Sequence, residues 1–226
     1  MRMRWLDLLF AHWPVDPDGL APRLPTGLEL DLRDGQAWLG IVPFTMADVA
    51  PRGIPPVGRF SVFPEINVRT YVLHGSLPGI VFLSLDAASR PTVEGARRVF
   101  HLPYFQAQMS SRAVDGAVVY RSRRIDRRGN DAAFEARYRP VGPVETARDG
   151  SLEAWLTDRK RLFSVDGRGR VWQTEIEHPP WPLQPAEAVI SVDTMAAAVG
   201  LALPDSAPHL RFAARLDVRA WAPRRA

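Results

Sequence analysis

A chain of 226 residues with 46% hydrophobic and 24% charged residues has the balance of a globular protein and enough length to bury a core without cross-links. It has no cysteine, which excludes disulfides, thiolate metal sites and cysteine nucleophiles, and fits a reducing compartment. The isoelectric point of 10.1 accompanies a net charge of only +4, because Lys160 is the only lysine and arginine supplies the other bases, so it does not argue for a nucleic-acid partner.

The chain opens on Met1–Phe10, whose apolar run is interrupted by Asp7 and is too short for a signal segment. No stretch reaches the roughly 18 apolar residues of a transmembrane helix, so a cytoplasmic protein without membrane association is expected. Asp16–Leu24 reads as a short helix, with Asp16 as cap and Pro17 at the first helical position. Asp-Gly pairs at 34–35, 115–116 and 166–167 each sit between apolar runs, a strong hairpin signal. They predict pairing of Leu28–Leu32 with Gln36–Phe44, of Phe105–Ala113 with Ala117–Arg123, and of Arg161–Val165 with Arg170–Glu177. Phe63–Tyr71 alternates as a strand, and Tyr71–Leu73 and Ile80–Leu85 flank a turn at Gly75–Gly79. Pro91–Leu102 is the best helix, with Val93, Ala96, Val99 and Phe100 on one face and Pro103 ending it. Ala132–Tyr138 and Leu210–Trp221 read as strands, and Ser151–Arg159 and Asp193–Leu201 as capped helices. This order is not an alternating strand–helix repeat. One α+β domain over residues 1–226 is predicted.

Side chains alternate across a strand, so Glu65, Asn67, Arg69 and Tyr71 share one face of Phe63–Tyr71, while Ile66, Val68, Thr70 and Val72 share the other. The polar face either meets water or lines a pocket. Glu65 and Arg69 lie about 13 Å apart along the strand, too far to pair directly, so each needs a partner elsewhere or a ligand. The five histidines have no metal-site spacing, and no metal is expected. His12, before the first helix, belongs either at a pocket mouth or in packing; His101 ends a helix, where a cation suits the dipole. No nucleophile elbow, phosphate loop or dinucleotide fingerprint is present, so no cofactor is expected. Arg121–Arg128 reads as a solvated face. Trp38, Trp155, Trp172 and Trp221 read as core, and Trp181, in a proline-rich loop, as a pocket lid or a loop anchor.

Several stretches together resemble one family: Leu9-Phe10-Ala11-His12-Trp13-Pro14, Leu24-Pro25-Thr26-Gly27-Leu28, Ala37-Trp38-Leu39-Gly40, Phe63–Tyr71, Ala96–Tyr104, Ser151–Thr157 and His178–Leu183. The chain resembles the uncharacterised YqjF-like family, which is thought to share the acetoacetate decarboxylase-like fold. The resemblance implies a mostly antiparallel sheet curled into a cone or barrel around a central cavity, with a few peripheral helices. Acetoacetate decarboxylases carry a Schiff-base lysine just after a helix, in a Phe/Tyr-Pro-Lys-Lys stretch. The matching stretch here is Leu102-Pro103-Tyr104-Phe105, which offers no amine for an imine. Glu65 stands in the place of the family's acidic pocket residue.

The expected function is therefore binding of a small organic acid or carbonyl compound without Schiff-base decarboxylation. Arg69 would meet a carboxylate, Glu65 act as acid or base, Tyr104 donate to the ligand oxygen, Asn67 orient it, and Tyr71 and His12 complete the site. A non-catalytic protein, in which Glu65 and Arg69 hold the fold together, is the alternative, and a homo-oligomer is compatible with either.

Overall fold

The computed structural model describes residues 1–50 and 61–226. In chain order the strands begin with β1 (Arg2–Val15), β2 (Glu29–Leu30), β3 (Ala37–Ala50), β4 (Phe63–His74) and β5 (Leu77–Ala87). They continue with β6 (Tyr104–Val114), β7 (Ala117–Arg124), β8 (Ala133–Pro140), β9 (Arg161–Val165) and β10 (Val171–Glu177), and end with β11 (Gln184–Asp193), β12 (His209–Ala220) and β13 (Arg224–Arg225). The helices are α1 (Pro17–Leu20), α2 (Arg90–Val99), α3 (Leu152–Thr157) and α4 (Met195–Ala198).

Most of these elements form where the local chemistry directs. Asp34–Gly35 and Asp115–Gly116 all have positive φ, between 50° and 77°, the backbone of a tight hairpin turn that aspartate tolerates and glycine adopts freely. The second turn joins β6 to β7 as expected. The first closes only the Arg33–Gln36 bridge, and β2 pairs with β4 rather than with β3. Ser151 caps α3 by accepting from the Ala154 amide at 3.2 Å. Three strands lay outside the sequence reading, β1, β11 and the two-residue β13. β1 escapes it because Asp7, at φ 53°, coincides with a shift in its register with β3 and breaks the alternation.

The pairings run β5–β6–β7–β8–β11–β12–β1–β3–β4, and the β4–β5 hairpin closes this circuit. β5 and β6 are parallel, and α2 is the crossover between them. The core has two large clusters and a small third one of Leu28, Val72, Val81 and Phe163. One large cluster contains Phe10, Phe44, Phe63, Tyr71, Leu85 and Trp181; the other contains Leu39, Ile41, Ile66, Val68, Tyr120 and Phe134. β4 divides the two large clusters, with Phe63 and Tyr71 in the first and Ile66 and Val68 in the second.

The arginine-rich run around residue 124 is not uniformly solvated. Arg124 is buried, donates from Nε and Nη2 to the carboxylate of buried Asp86 at 2.6–3.1 Å, and lies 4.1 Å over the Phe105 ring. Arg121 pairs with Glu135, and Arg128 with Asp126 and Glu94. Alternation on β7 explains the split, since Arg121 and Arg123 point outward where Arg124 points in. Trp221, expected in the core, is 48% exposed. Removing one member of a buried ion pair strands the other charge. Arg124→Ala should therefore lose about 3–5 kcal/mol in urea unfolding, whereas Arg123→Ala should change stability by less than about 0.5 kcal/mol.

Candidate functional site

On the first-cluster side of β4 lies a cavity of about 360 Å³. Glu65, Asn67 and Arg69 line it, together with Tyr104 at the start of β6. All four are buried, at 2%, 4%, 8% and 6% exposure, so the polar face of β4 does not meet water. Two irregularities bring the apolar wall onto the same side. At the β4–β5 bulge the partner of Val68 is Ser84 and that of Arg69 is Phe82, which leaves Leu83 out and sets Ile80, Phe82 and Leu85 together on the cavity wall. At the Asp7 irregularity β1 changes phase, so that Trp5 and Leu8 both line the cavity.

Glu65 and Tyr104 form one pole. The Tyr104 hydroxyl donates to Glu65 Oε2 at 3.0 Å, and the Tyr120 hydroxyl donates to the Glu65 backbone carbonyl at 2.7 Å. Burial pushes the Glu65 carboxyl up to about 8, opposed by the Tyr104 hydrogen bond, and among the described residues no cation lies against it. Glu65 is thus a neutral acid at pH 7. With Oε2 accepting from Tyr104, its own proton belongs on Oε1. Burial, and then Glu65 itself, raise the Tyr104 phenol well above its ordinary value, so Tyr104 stays a donor.

Arg69 forms the other pole. Its Nη2 donates to the Leu156 carbonyl at 3.2 Å, at the C-terminal turn of α3, where the helix dipole is negative. Its Nε has no partner, nor has Asn67 Oδ1. Among the described residues no carboxylate pairs with Arg69, and Glu65 and Arg69 do not touch each other. Arginine keeps its proton in proteins. Among the described residues, the side chains lining the cavity therefore include one cation without a counter-charge, Arg69, and one neutral acid, Glu65, while the Met1 amino terminus donates to the Ala220 carbonyl.

Tyr71 and His12 stand behind Arg69 and do not line the cavity. The Tyr71 hydroxyl donates to the Leu156 carbonyl at 2.7 Å and contacts His12 Nε2 at 2.8 Å. A phenol has one proton, so His12 must donate from Nε2, which leaves its unpartnered Nδ1 without a hydrogen. Burial, then the charges of Arg69 and His209, hold His12 well below its usual value and keep it neutral. Gly40, opposite Arg69 on β3, makes room for this arrangement, since a Cβ there would lie 2.8 Å from His12 Cδ2 and 3.3 Å from Arg69 Cγ.

Trp181 is buried against the cavity, and its Nε1 donates to the Thr157 carbonyl at 2.8 Å, so it anchors its loop and also forms wall. Lys160 pairs with Asp158 at 2.5 Å and does not line the cavity. Among the described residues no cluster of three His, Asp or Glu side chains is placed to hold a metal, and no helix is long and apolar enough to cross a membrane. The sequence reading missed Trp5, Phe44 and Phe82 as wall, and the Leu156 carbonyl as the group that gathers Arg69 and Tyr71. No side-chain pattern announces a backbone acceptor.

The DUF2071 family, described as an uncharacterized conserved protein, matches residues 2–217. The chain belongs to this family. Its relative YqjF of Bacillus subtilis (strain 168), itself uncharacterized, is 46% identical over 221 residues, covering 98% of this chain and 90% of that protein. The DUF2071 chain has the acetoacetate decarboxylase-like fold. It matches the enduracididine biosynthesis enzyme MppR, complexed with the condensation product of pyruvate and imidazole 4-carboxaldehyde, with a TM-score of 0.69 at 13% identity over 100% of this chain and 89% of that one. MppR complexed with pyruvate matches at 0.66 and 15%, over 100% and 90%. Acetoacetate decarboxylase from Legionella pneumophila matches at 0.64 and 14%, over 99% and 88%.

Gly40→Ala in this DUF2071 protein should cost about 1–3 kcal/mol in chemical unfolding, because the buried His12 ring has nowhere to move. A second expectation concerns pH. The Glu65 carboxyl is raised on folding, so its contribution to stability is complete below about 4.5 and is lost as pH rises through about 8. His12 is lowered on folding, so its contribution is lost on the acid side, below about 6.5. Between about pH 6.5 and 8 only Glu65 of these two acts, and stability should fall by up to about 1.4 kcal/mol per pH unit. Unfolding curves of Glu65→Gln should lack that decline.

Proposed function

We propose that the protein binds a small organic acid or carbonyl compound in the Glu65–Arg69 cavity, within a single domain whose sheet closes as a barrel. The observation that carries this reading is the buried Arg69 guanidinium with a free Nε and no counter-ion, facing a cavity whose one acid is neutral. A buried cation needs an anion, and a planar two-pronged donor suits a carboxylate. Asn67 would hold the same carboxylate from two residues along the strand. The Glu65 Oε1 proton would go to a carbonyl oxygen, polarising it, with Tyr104 holding Glu65 in place. MppR, which has this fold, was solved with pyruvate, a small oxo acid of the proposed class.

Schiff-base decarboxylation is not part of the proposal. Tyr104 stands where the resemblance to the decarboxylases requires an amine, and Lys160 pairs elsewhere. The absence of cysteine supports a cytoplasmic setting.

Calorimetric titration with oxo and unsubstituted carboxylic acids tests the reading. Arg69→Gln should weaken binding by about 30-fold or more, the cost of losing one partner of a buried charged pair. Glu65→Gln should spare binding and lower any turnover. If no acid binds the parent protein and Arg69→Gln instead loses several kcal/mol of stability, Arg69 serves the fold and the proposal fails.

A further inference from the structure

The cavity is larger and more apolar than a two- to four-carbon acid requires. A water-sized group occupies about 30 Å³, so about 360 Å³ accommodates roughly ten to twelve non-hydrogen atoms. This volume lies near the lower end of sites that enclose drug-sized ligands, roughly 300–1,000 Å³. A four-carbon oxo acid has seven non-hydrogen atoms, so held at Arg69 it would leave roughly a third of that space without contacts.

The walls show what would fill it. Trp5, Phe44, Phe63, Phe82, Phe100 and Trp181 line the cavity. Trp5 and Trp181 stack at 5.8 Å, Trp5 meets Phe44 edge-on at 5.9 Å, and Phe10 meets Trp181 edge-on at 4.8 Å. The Arg69 guanidinium lies 5.5 Å from the Phe10 ring, which does not itself line the cavity but packs against Trp181, so the cationic pole adjoins this aromatic cluster. Further out, Ala96, Val99 and Phe100, in and just after α2, line the cavity beside Met1. Val99 is 55% exposed and Met1 is 37% exposed, so here the cavity reaches the surface at an apolar rim. Among the described residues, the polar side chains of the lining apart from the two indoles are those of β4, Tyr104, Thr92 and Thr174, and the Met1 amino terminus donates to the Ala220 carbonyl.

The geometry points to an amphipathic monocarboxylate as the occupant, an aryl- or medium-chain-substituted oxo acid rather than a two- to four-carbon one. This deepens the proposed function and rests on its placing of the carboxylate at Arg69. The head would lie between Arg69 and Asn67 with the carbonyl oxygen toward Glu65, and the apolar group would lie along Trp5, Phe44 and Trp181 toward α2. A single charge is specified because, among the described residues, Arg69 is the only side-chain cation lining the cavity, the Met1 amino terminus donates to the Ala220 carbonyl, and Glu65 is neutral at pH 7.

The test is a homologous series titrated at pH 7 and followed by tryptophan fluorescence and calorimetry: pyruvate, acetoacetate, 3-oxohexanoate, 3-oxooctanoate and phenylpyruvate, with 1-octanol as an uncharged control. Affinity should rise about threefold to fourfold per methylene up to roughly seven to nine carbons, and phenylpyruvate should bind well over tenfold tighter than pyruvate. Arg69→Gln should weaken every acid and leave octanol unchanged. Ala96→Phe, which narrows the apolar end at a partly exposed helix position, should weaken 3-oxooctanoate at least tenfold and leave acetoacetate within twofold. Equal, Arg69-dependent binding of short and long acids would overturn this inference and leave the proposed function standing. Octanol binding as tightly as the acids, or no acid binding in an Arg69-dependent way, would overturn both.

Discussion

The whole arrangement depends on β4 being covered on both faces. A strand exposed on one side would show its polar residues to water. Here a second cluster, led by Tyr120 and Phe134, packs behind Ile66 and Val68, while the first cluster and the cavity cover Glu65, Asn67 and Arg69. A charge and an acid are thereby held in a dry place, at a cost of several kcal/mol for an unpaired ion and about 1–3 kcal/mol for each unsatisfied polar atom.

Burial also sets the chemistry of each group. With the same side chains in water, Glu65 would be an anion and would offset Arg69. Desolvation keeps its proton, so one strand presents a cation and a hydrogen-bond donor four residues apart. The Arg69 side is braced by backbone rather than by charge. The Leu156 carbonyl, at the end of a six-residue helix, accepts from both Arg69 and Tyr71, and Tyr71 in turn fixes the tautomer of His12. A carboxylate in place of that carbonyl would neutralise the guanidinium; a carbonyl orients it and leaves its charge in place.

Much of the candidate site was legible in the sequence because alternation on a strand is a strict rule. The parity of Phe63–Tyr71 groups Glu65, Asn67 and Arg69 on one side whatever surrounds them. Parity is silent where a strand is irregular. β1 changes phase at Asp7 and β5 at Leu83, so neither Trp5 with Leu8 nor Phe82 with Leu85 reads as one face. Arg124 shows the same limit differently, since its neighbours in sequence are solvated and only the position of Asp86 on a distant strand draws it inside.

By itself the sequence determined the β4–β5, β6–β7 and β9–β10 hairpins, the capped helices and the shared face of the β4 residues, because each depends on residues close together in the chain. Only the tertiary structure decided that this face points inward, that Arg69 meets a carbonyl and no carboxylate, that Tyr71 and His12 stand behind the wall, and that aromatic rings from β1, β3, β5 and the Trp181 loop surround the space. Those outcomes depend on which strands become neighbours and on where a bulge shifts the register, and both are set by packing across the closed circuit of strands.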